Sequence, residues 1–214
     1  MAANSVPVQS AGAALSSDQQ SWIYSQFNGT TFQANAMDVQ HEPLYDESTT
    51  AQAATIANLT QFFTNPAGKT LAQTNVTTAK RLDAPEAFAV MGINFSWLES
   101  ILLADAIAVK NSFALEFWIG QKYYNRAPVS FYNAGTGLYG TLSTVAAAGN
   151  SIITNGLPAK GHRHELAINI VIDNQASFFG QLVGTPVVLT ATGSGGVGAT
   201  LIMLLDGLHA RGVQ

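Results

Sequence analysis

Past residue 69 the chain alternates apolar and polar positions in short runs. Residues 113–119 set Phe113, Leu115, Phe117 and Ile119 against Ala114, Glu116 and Trp118, the two-residue period of a half-buried strand. Residues 87–97 alternate in the same way, with Phe88, Val90, Ile93 and Phe95 as inward candidates. Further strands are expected at 166–172, 178–183, 186–192 and 199–205, with turns at 120–122 and at Asp173-Asn174. An aromatic run at 123–132 is broken by Pro128, and a Gly- and Asn-rich loop follows it to Pro158.

The helical period appears in fewer places. Asp18 caps a short helix that carries Trp22, Ile23 and Phe27 on one face, and Asn28-Gly29 ends it in a turn. Residues 49–63 space Ala53, Ile56, Ala57, Leu59 and Phe63 as a helix would, and Asn65-Pro66-Ala67-Gly68 stops the run. Residues 97–109 predict another helix, with Leu98, Ile101, Leu102, Asp105, Ala106 and Val109 on one side. Residues 1–16 are small and polar and read as a flexible arm. The expected organisation is a partly helical N-terminal extension, 1–68, and a β-rich body, 69–214. Many short strands with turns between them predict a mainly β protein, a β-sandwich or jelly roll.

Composition adds one strong constraint. Of 214 residues only 10% are charged, where a typical domain carries about 25%. A folded monomer of this size exposes roughly 9,500 Å², so one charge serves roughly 430 Å², against about 180 Å² for usual composition. Such a surface suits a protein covered by copies of itself or by a membrane. The net charge of −4 and the absence of any basic run longer than Lys80-Arg81 argue against nucleic acid. No Lys or Arg precedes Lys69, so the first third is acidic. Cysteine is absent, which excludes disulfides and thiolate chemistry. The first residues lack the basic and apolar regions of a secretory signal. Residues 184–205 are uncharged, but threonines and glycines interrupt them, so two buried strands joined by a Gly-rich turn are preferred to a membrane span.

Candidate chemistry is sparse. Gly193-Ser194-Gly195-Gly196-Val197-Gly198 has the spacing of a dinucleotide loop, but only 16 residues follow, too few for the βαβ unit; it reads as a hairpin turn. No Lys follows it to make a phosphate loop. His162 and His164 would share one face of a strand, and such a pair holds Zn, Fe or Ni given a third ligand. Cupins, themselves jelly rolls, carry a similar pair. Their Glu falls a few residues further on, where this chain has Ile168 and Asn169, and Glu165 faces away. His41, His209 or distant carboxylates would have to complete the set, so a solvated loop or a polar subunit contact is preferred. Asp46-Glu47 reads as solvated, and Asp105, on an apolar helix face, as a hydrogen-bonded group. Trp118, Tyr123 and Tyr124 suit a sugar- or base-stacking platform, though such stripes more often pack a core or meet a neighbour. The sequons at Asn28, Asn58, Asn75 and Asn94 read as chance without a secretion signal. No catalytic, cofactor-binding or metal-binding residue is assigned.

The stretch Leu115-Glu116-Phe117-Trp118-Ile119-Gly120, then Lys122-Tyr123-Tyr124 and Ala127-Pro128, leads into Gly135-Thr136-Gly137, Asn155-Gly156-Leu157-Pro158 and Leu205-Asp206-Gly207 with Arg211. In texture and order this resembles the single jelly-roll capsid proteins of tailless icosahedral bacteriophages that enclose a lipid membrane. The resemblance spans residues 70 to 214 and not the first 68. It implies an upright jelly roll packed into pseudo-hexameric capsomers, with an N-terminal arm reaching neighbours or the membrane. The expected function is a structural virion protein, a capsid subunit and not an enzyme, made in the host cytoplasm. Its partners would be itself, other capsid proteins and an underlying lipid membrane, with no sequence-specific nucleic acid. The alternatives are a cupin-like metal-dependent enzyme and a carbohydrate-binding or fibre-type module.

Overall fold

A computed structural model describes residues 17–27, 37–98, 101–132, 139–141, 152–154, 164–191 and 198–212. The protein is mainly β, with 52% strand against 14% helix, in curled antiparallel sheets. In chain order the elements are α1 (Ser17–Gln26), β1 (Met37–His41), β2 (Leu44–Thr50), β3 (Thr55–Ile56), β4 (Thr60–Phe62), β5 (Ala87–Trp97) and α2 (Leu103–Ser112). There follow β6 (Phe113–Ile119), β7 (Lys122–Pro128), a 3-10 turn (Val129–Phe131), β8 (Tyr139–Thr141), β9 (Ile152–Thr154), β10 (His164–Ile172), β11 (Phe178–Gly184), β12 (Val187–Val188) and β13 (Ala199–Gly212).

One sheet runs β1-β13-β5-β10. The long β13 also carries β2 along residues 199–205, ahead of β1 along residues 208–212. The second sheet runs β4-β11-β6-β7, and two small pairs, β12-β3 and β8-β9, lie apart. The edges of the two sheets correspond. Phe63 N–H, just past β4, donates to the Asp46 carboxylate on β2. On the opposite side the Phe131 ring, just past β7, lies 4.1 Å from the His164 ring on β10.

Alternation along β5 buries both of its faces. Phe88, Val90, Ile93 and Phe95 enter a core shared with Phe117 and Leu182 of the second sheet. Phe62 meets Phe95 edge-on at 5.9 Å across that core. Gly180 lets the Met203 side chain of the opposing sheet pack against the backbone: a Cβ there would lie 2.1 Å from its Sδ and make the thioether shift. Ala87 and Ala89 face the other way, with Leu208 and Ala210, and their small size admits Ile23 of α1 and Phe27 just after it. The N-terminal helix, with Asp18 inside its first turn and not at its cap, thus covers the far side of the first sheet, and Phe27 just past it is fully buried.

Four expectations are corrected. Residues 49–63 are not a helix: they finish β2 and form β3 and β4, with Ile56 opposite Val187 and Phe62 opposite Gly180. Ala53, Leu59 and Phe63 take φ of 60°, 65° and 65°, so three left-handed residues break any helix there. The helix expected at 97–109 starts at Leu103, because Trp97 is the last residue of β5, paired with Leu201. Residues 187–205 do not form a hairpin: β12 pairs with β3, while β13 pairs with β2 and β5. The expected strand end at Leu205 is passed: β13 keeps pairing with β5 across a bulge that leaves Met91 of β5 unpaired, and runs on to Gly212. β1, β2 and β4, all before residue 68, share both sheets with later strands. The arm at 1–16, the Asn28-Gly29 turn and the glycine-rich turn at 193–197 lie outside the described residues. Among the described residues, no helix is long and apolar enough to cross a membrane.

Candidate functional site

The histidines do not converge. His162 lies outside the described residues. His164 packs its ring on Phe131, with Tyr132 6.0 Å away. His164 stands opposite Ile93 of β5, whereas His209 on β13 stands opposite Phe88, a separation of roughly 17 Å along the strand. His41 pairs with Asp206 at 2.8 Å. Among the described residues, no three His, Asp or Glu side chains gather in a way that holds a metal ion.

The carboxylates divide differently from expectation. Asp46 is not solvated: it is 1% exposed, accepts the Phe63 N–H at 2.6 Å and pairs with Lys69 Nζ at 2.7 Å. Alternation turns Glu47 to the other face, where partial burial holds its carboxyl above the ordinary range despite the nearby Lys69 ammonium. Asp105 is hydrogen-bonded as expected, accepting from Thr190 N–H at 3.2 Å and Thr190 Oγ1 at 2.8 Å. It ties α2 to the segment after β12.

Trp118 and Tyr123 come together on the outward face of β6 and β7, with ring centroids 5.7 Å apart. The alternation of β11 adds Phe179, parallel to Trp118 at 6.0 Å. Arg126 lies 4.3 Å over the Tyr123 ring and Lys80 5.1 Å over Phe179. Tyr124 alternates away from this cluster and carries Lys122 over its own ring at 5.1 Å. Beneath Trp118 sits Glu116, only 2% exposed, which the alternation had assigned to solvent. It accepts from Trp118 Nε1 at 2.7 Å and Gln181 Nε2 at 2.8 Å, and pairs with Arg126 at 2.6 Å. The spacing of Glu116 and Trp118 hinted that they share a face. The register that brings Gln181 and Arg126 directly across from Glu116 was not legible.

Burial would raise the Glu116 carboxyl, but the donors from Gln181, Trp118 and Arg126 outweigh it and hold the group below its ordinary range. A depressed carboxylate stabilises the fold above its unfolded pKa and loses that contribution as pH falls through the folded value. Wild type is therefore expected to lose urea resistance in that acidic window more steeply than Glu116→Gln. At neutral pH the variant is expected to be about 1–3 kcal/mol weaker. Equal acid slopes for the two proteins would refute this role.

The most exposed apolar groups on the β7–β10 side are Ile168 at 76% and Phe131 at 52%. Among the described residues, neither β7 nor β10 has a strand on its outer edge. From Leu166 to Ile172 β10 carries no charged side chain, and an irregularity between Glu165 and Ile170 coincides with the outward Ile168. Protein edges are normally guarded by Lys, Pro or a covering segment. No protein-family model matches the chain, and neither a curated protein nor a solved structure was found similar to it.

Proposed function

We propose that this chain is a jelly-roll shell subunit, a structural capsid protein of a virion that self-assembles into capsomers. The strand order supports the jelly roll. Taking β1 and β2 as one strand split along β13, and leaving aside the two small pairs, eight strands remain. The first pairs with the eighth, the second with the seventh, the third with the sixth and the fourth with the fifth. That is a long antiparallel hairpin rolled up so that its legs fall alternately into two sheets.

Fold alone does not assign function. The observation that carries the shell reading is the edge of β10, which has no strand beyond it among the described residues and is uncharged from Leu166 to Ile172 with Ile168 turned outward, on a chain that is only 10% charged. A second copy covering this edge would bury apolar surface at about 25 cal/mol per Å² gross, before the costs of association. Symmetry would then repeat one contact many times. Other capsid proteins and a lipid membrane beneath the shell are the further partners of this reading, and the virion is its location, the subunit being made in the host cytoplasm. The aromatic cluster favours a glycan-binding module less, because Trp118 commits its N–H to Glu116 and lies against Phe179.

Purified protein at high micromolar concentration is expected to sediment as capsomers or larger shells and to show them by electron microscopy. A monomer that stays monomeric across the salt range would overturn the proposal.

A further inference from the structure

We infer that His209 is an acid-operated latch: a proton taken up at its Nδ1 displaces Arg211 and releases the β1 end of the first sheet. The inference is independent of whether the chain builds shells. His209 is 4% exposed, on β13 between Gln40 of β1 and Phe88 of β5, whose ring lies 5.7 Å from the imidazole. Arg211 Nε–H donates to His209 Nδ1 at 3.2 Å. A nitrogen that accepts cannot carry the proton, so the hydrogen of the neutral ring is on Nε2. Among the described residues that buried Nε2 has no hydrogen-bond partner, and it lies 3.6 Å from Glu86 Oε2. Glu42 Oε2 lies 3.6 Å from Nδ1 and pairs with Arg211 Nη2.

One lone pair therefore has two claimants. At neutral pH the Arg211 guanidinium occupies it and bridges to Glu42, tying the last residues of β13 to the segment just after β1. When solvent delivers a proton, a new N–H bond forms at Nδ1 and the guanidinium loses its acceptor. The cationic ring then faces Glu42 at Nδ1 and Glu86 at Nε2, and like charge drives Arg211 away. Glu42 exchanges one cation for another, but the new one holds it two residues short of Arg211, leaving the last residues of β13 untied. Among the described residues β1 pairs with β13 alone, and its first residues, Met37 and Asp38, stand opposite Gly212 and Arg211. These are the residues the latch secures.

The groups facing His209 are Glu42 beyond β1, Glu86 ahead of β5 and Arg211 on β13. Asp38, opposite Arg211, is held by Gln40 Nε2 at 2.7 Å. His41 alternates to the other face of β1, where it meets Asp206 at 2.8 Å. Burial and the Arg211 guanidinium hold the His209 imidazole below its ordinary range, against the pull of Glu86 and Glu42. A base depressed in the folded state binds fewer protons than the unfolded chain does. The stability it protects is complete above the ordinary imidazole range and is lost as pH falls through the folded value.

Amide hydrogen exchange of the full chain tests this between about pH 7.5 and about pH 5, after correction for intrinsic rates. Protection of β1 is expected to fall about tenfold more than that of β5. His209→Gln, which offers Arg211 an amide oxygen and does not titrate, is expected to abolish the step. Arg211→Gln is expected to leave β1 loose at both pH values, and His41→Gln to retain the step. A step that survives in His209→Gln, or full β1 protection in Arg211→Gln at neutral pH, overturns the latch. If His209→Gln does not fold, nuclear magnetic resonance of the wild type decides: the Arg211 Nε–H signal must move with the His209 titration, and independence of the two overturns it.

Discussion

Lys69→Met is expected to cost about 3–5 kcal/mol of folding stability, as breaking one side of a buried ion pair does. Asp46 Oδ1 meets Lys69 Nζ at 2.7 Å, and the same ammonium donates to the Glu47 carbonyl at 2.5 Å. Without the ammonium, a carboxylate that is 1% exposed keeps, among the described residues, only the Phe63 N–H. Phe63 sits at a left-handed φ of 65° with its ring fully inside the core, so Asp46 also anchors the exit of β4. Domain stabilities are about 5–15 kcal/mol, and the loss is a large share of that. It will appear as a lower urea midpoint with unchanged slope. Asp46→Asn in the same chain is expected to recover part of it, because the penalty comes from an unpaired charge and not from a missing contact. An unchanged midpoint in Lys69→Met, or a double variant weaker than the sum of the singles, would show that the pair is not the anchor.

Ile168→Lys is expected to disperse the proposed assembly into single subunits. Ile168 is 76% exposed, so the fold should tolerate the change within about 0.5 kcal/mol. Lysine is the residue that natural edge strands use against pairing, and burying its ammonium at a subunit contact is costly. The concentration for half-assembly should rise at least about tenfold, a change of about 1.4 kcal/mol per contact, which symmetry multiplies around a ring. Sedimentation and circular dichroism together read the result. Assembly at the wild-type concentration with the fold intact would remove the β10 edge from the interface while leaving other contacts possible. Wild type that never assembles would remove the shell reading itself.

Much of the strand content was legible in the chain. The limits of β5 and β6 coincide with the alternating runs at 87–97 and 113–119. The apolar run at 166–172 lies within β10, and the short helix with Ile23 and Phe27 inward is α1. The misreading of 49–63 has a specific cause. Ile56, Leu59 and Phe63 are spaced like a helix face, but Ile56 and Phe63 reach the core from separate short segments joined by left-handed turns. The polar groups that matter were hidden for a related reason. Asp46, Glu116 and His209 look like surface residues until Lys69, Arg126 and Arg211, 23, 10 and 2 positions away, arrive beside them.

From the order of residues alone came the β class of the body, the inward faces of its longest strands, the N-terminal helix and the shortage of surface charge. These are properties of neighbours along the chain and of composition, and periodicity carries them. The strand order, the split edge of β13, the buried carboxylates and the contested lone pair of His209 were decided only in three dimensions. The strand order and the buried carboxylates depend on segments far apart in the chain meeting in one register, and the lone pair of His209, although Arg211 is two residues away, is contested only because Glu42 and Glu86 come from other segments; that free energy belongs to the pairing, not to either segment by itself.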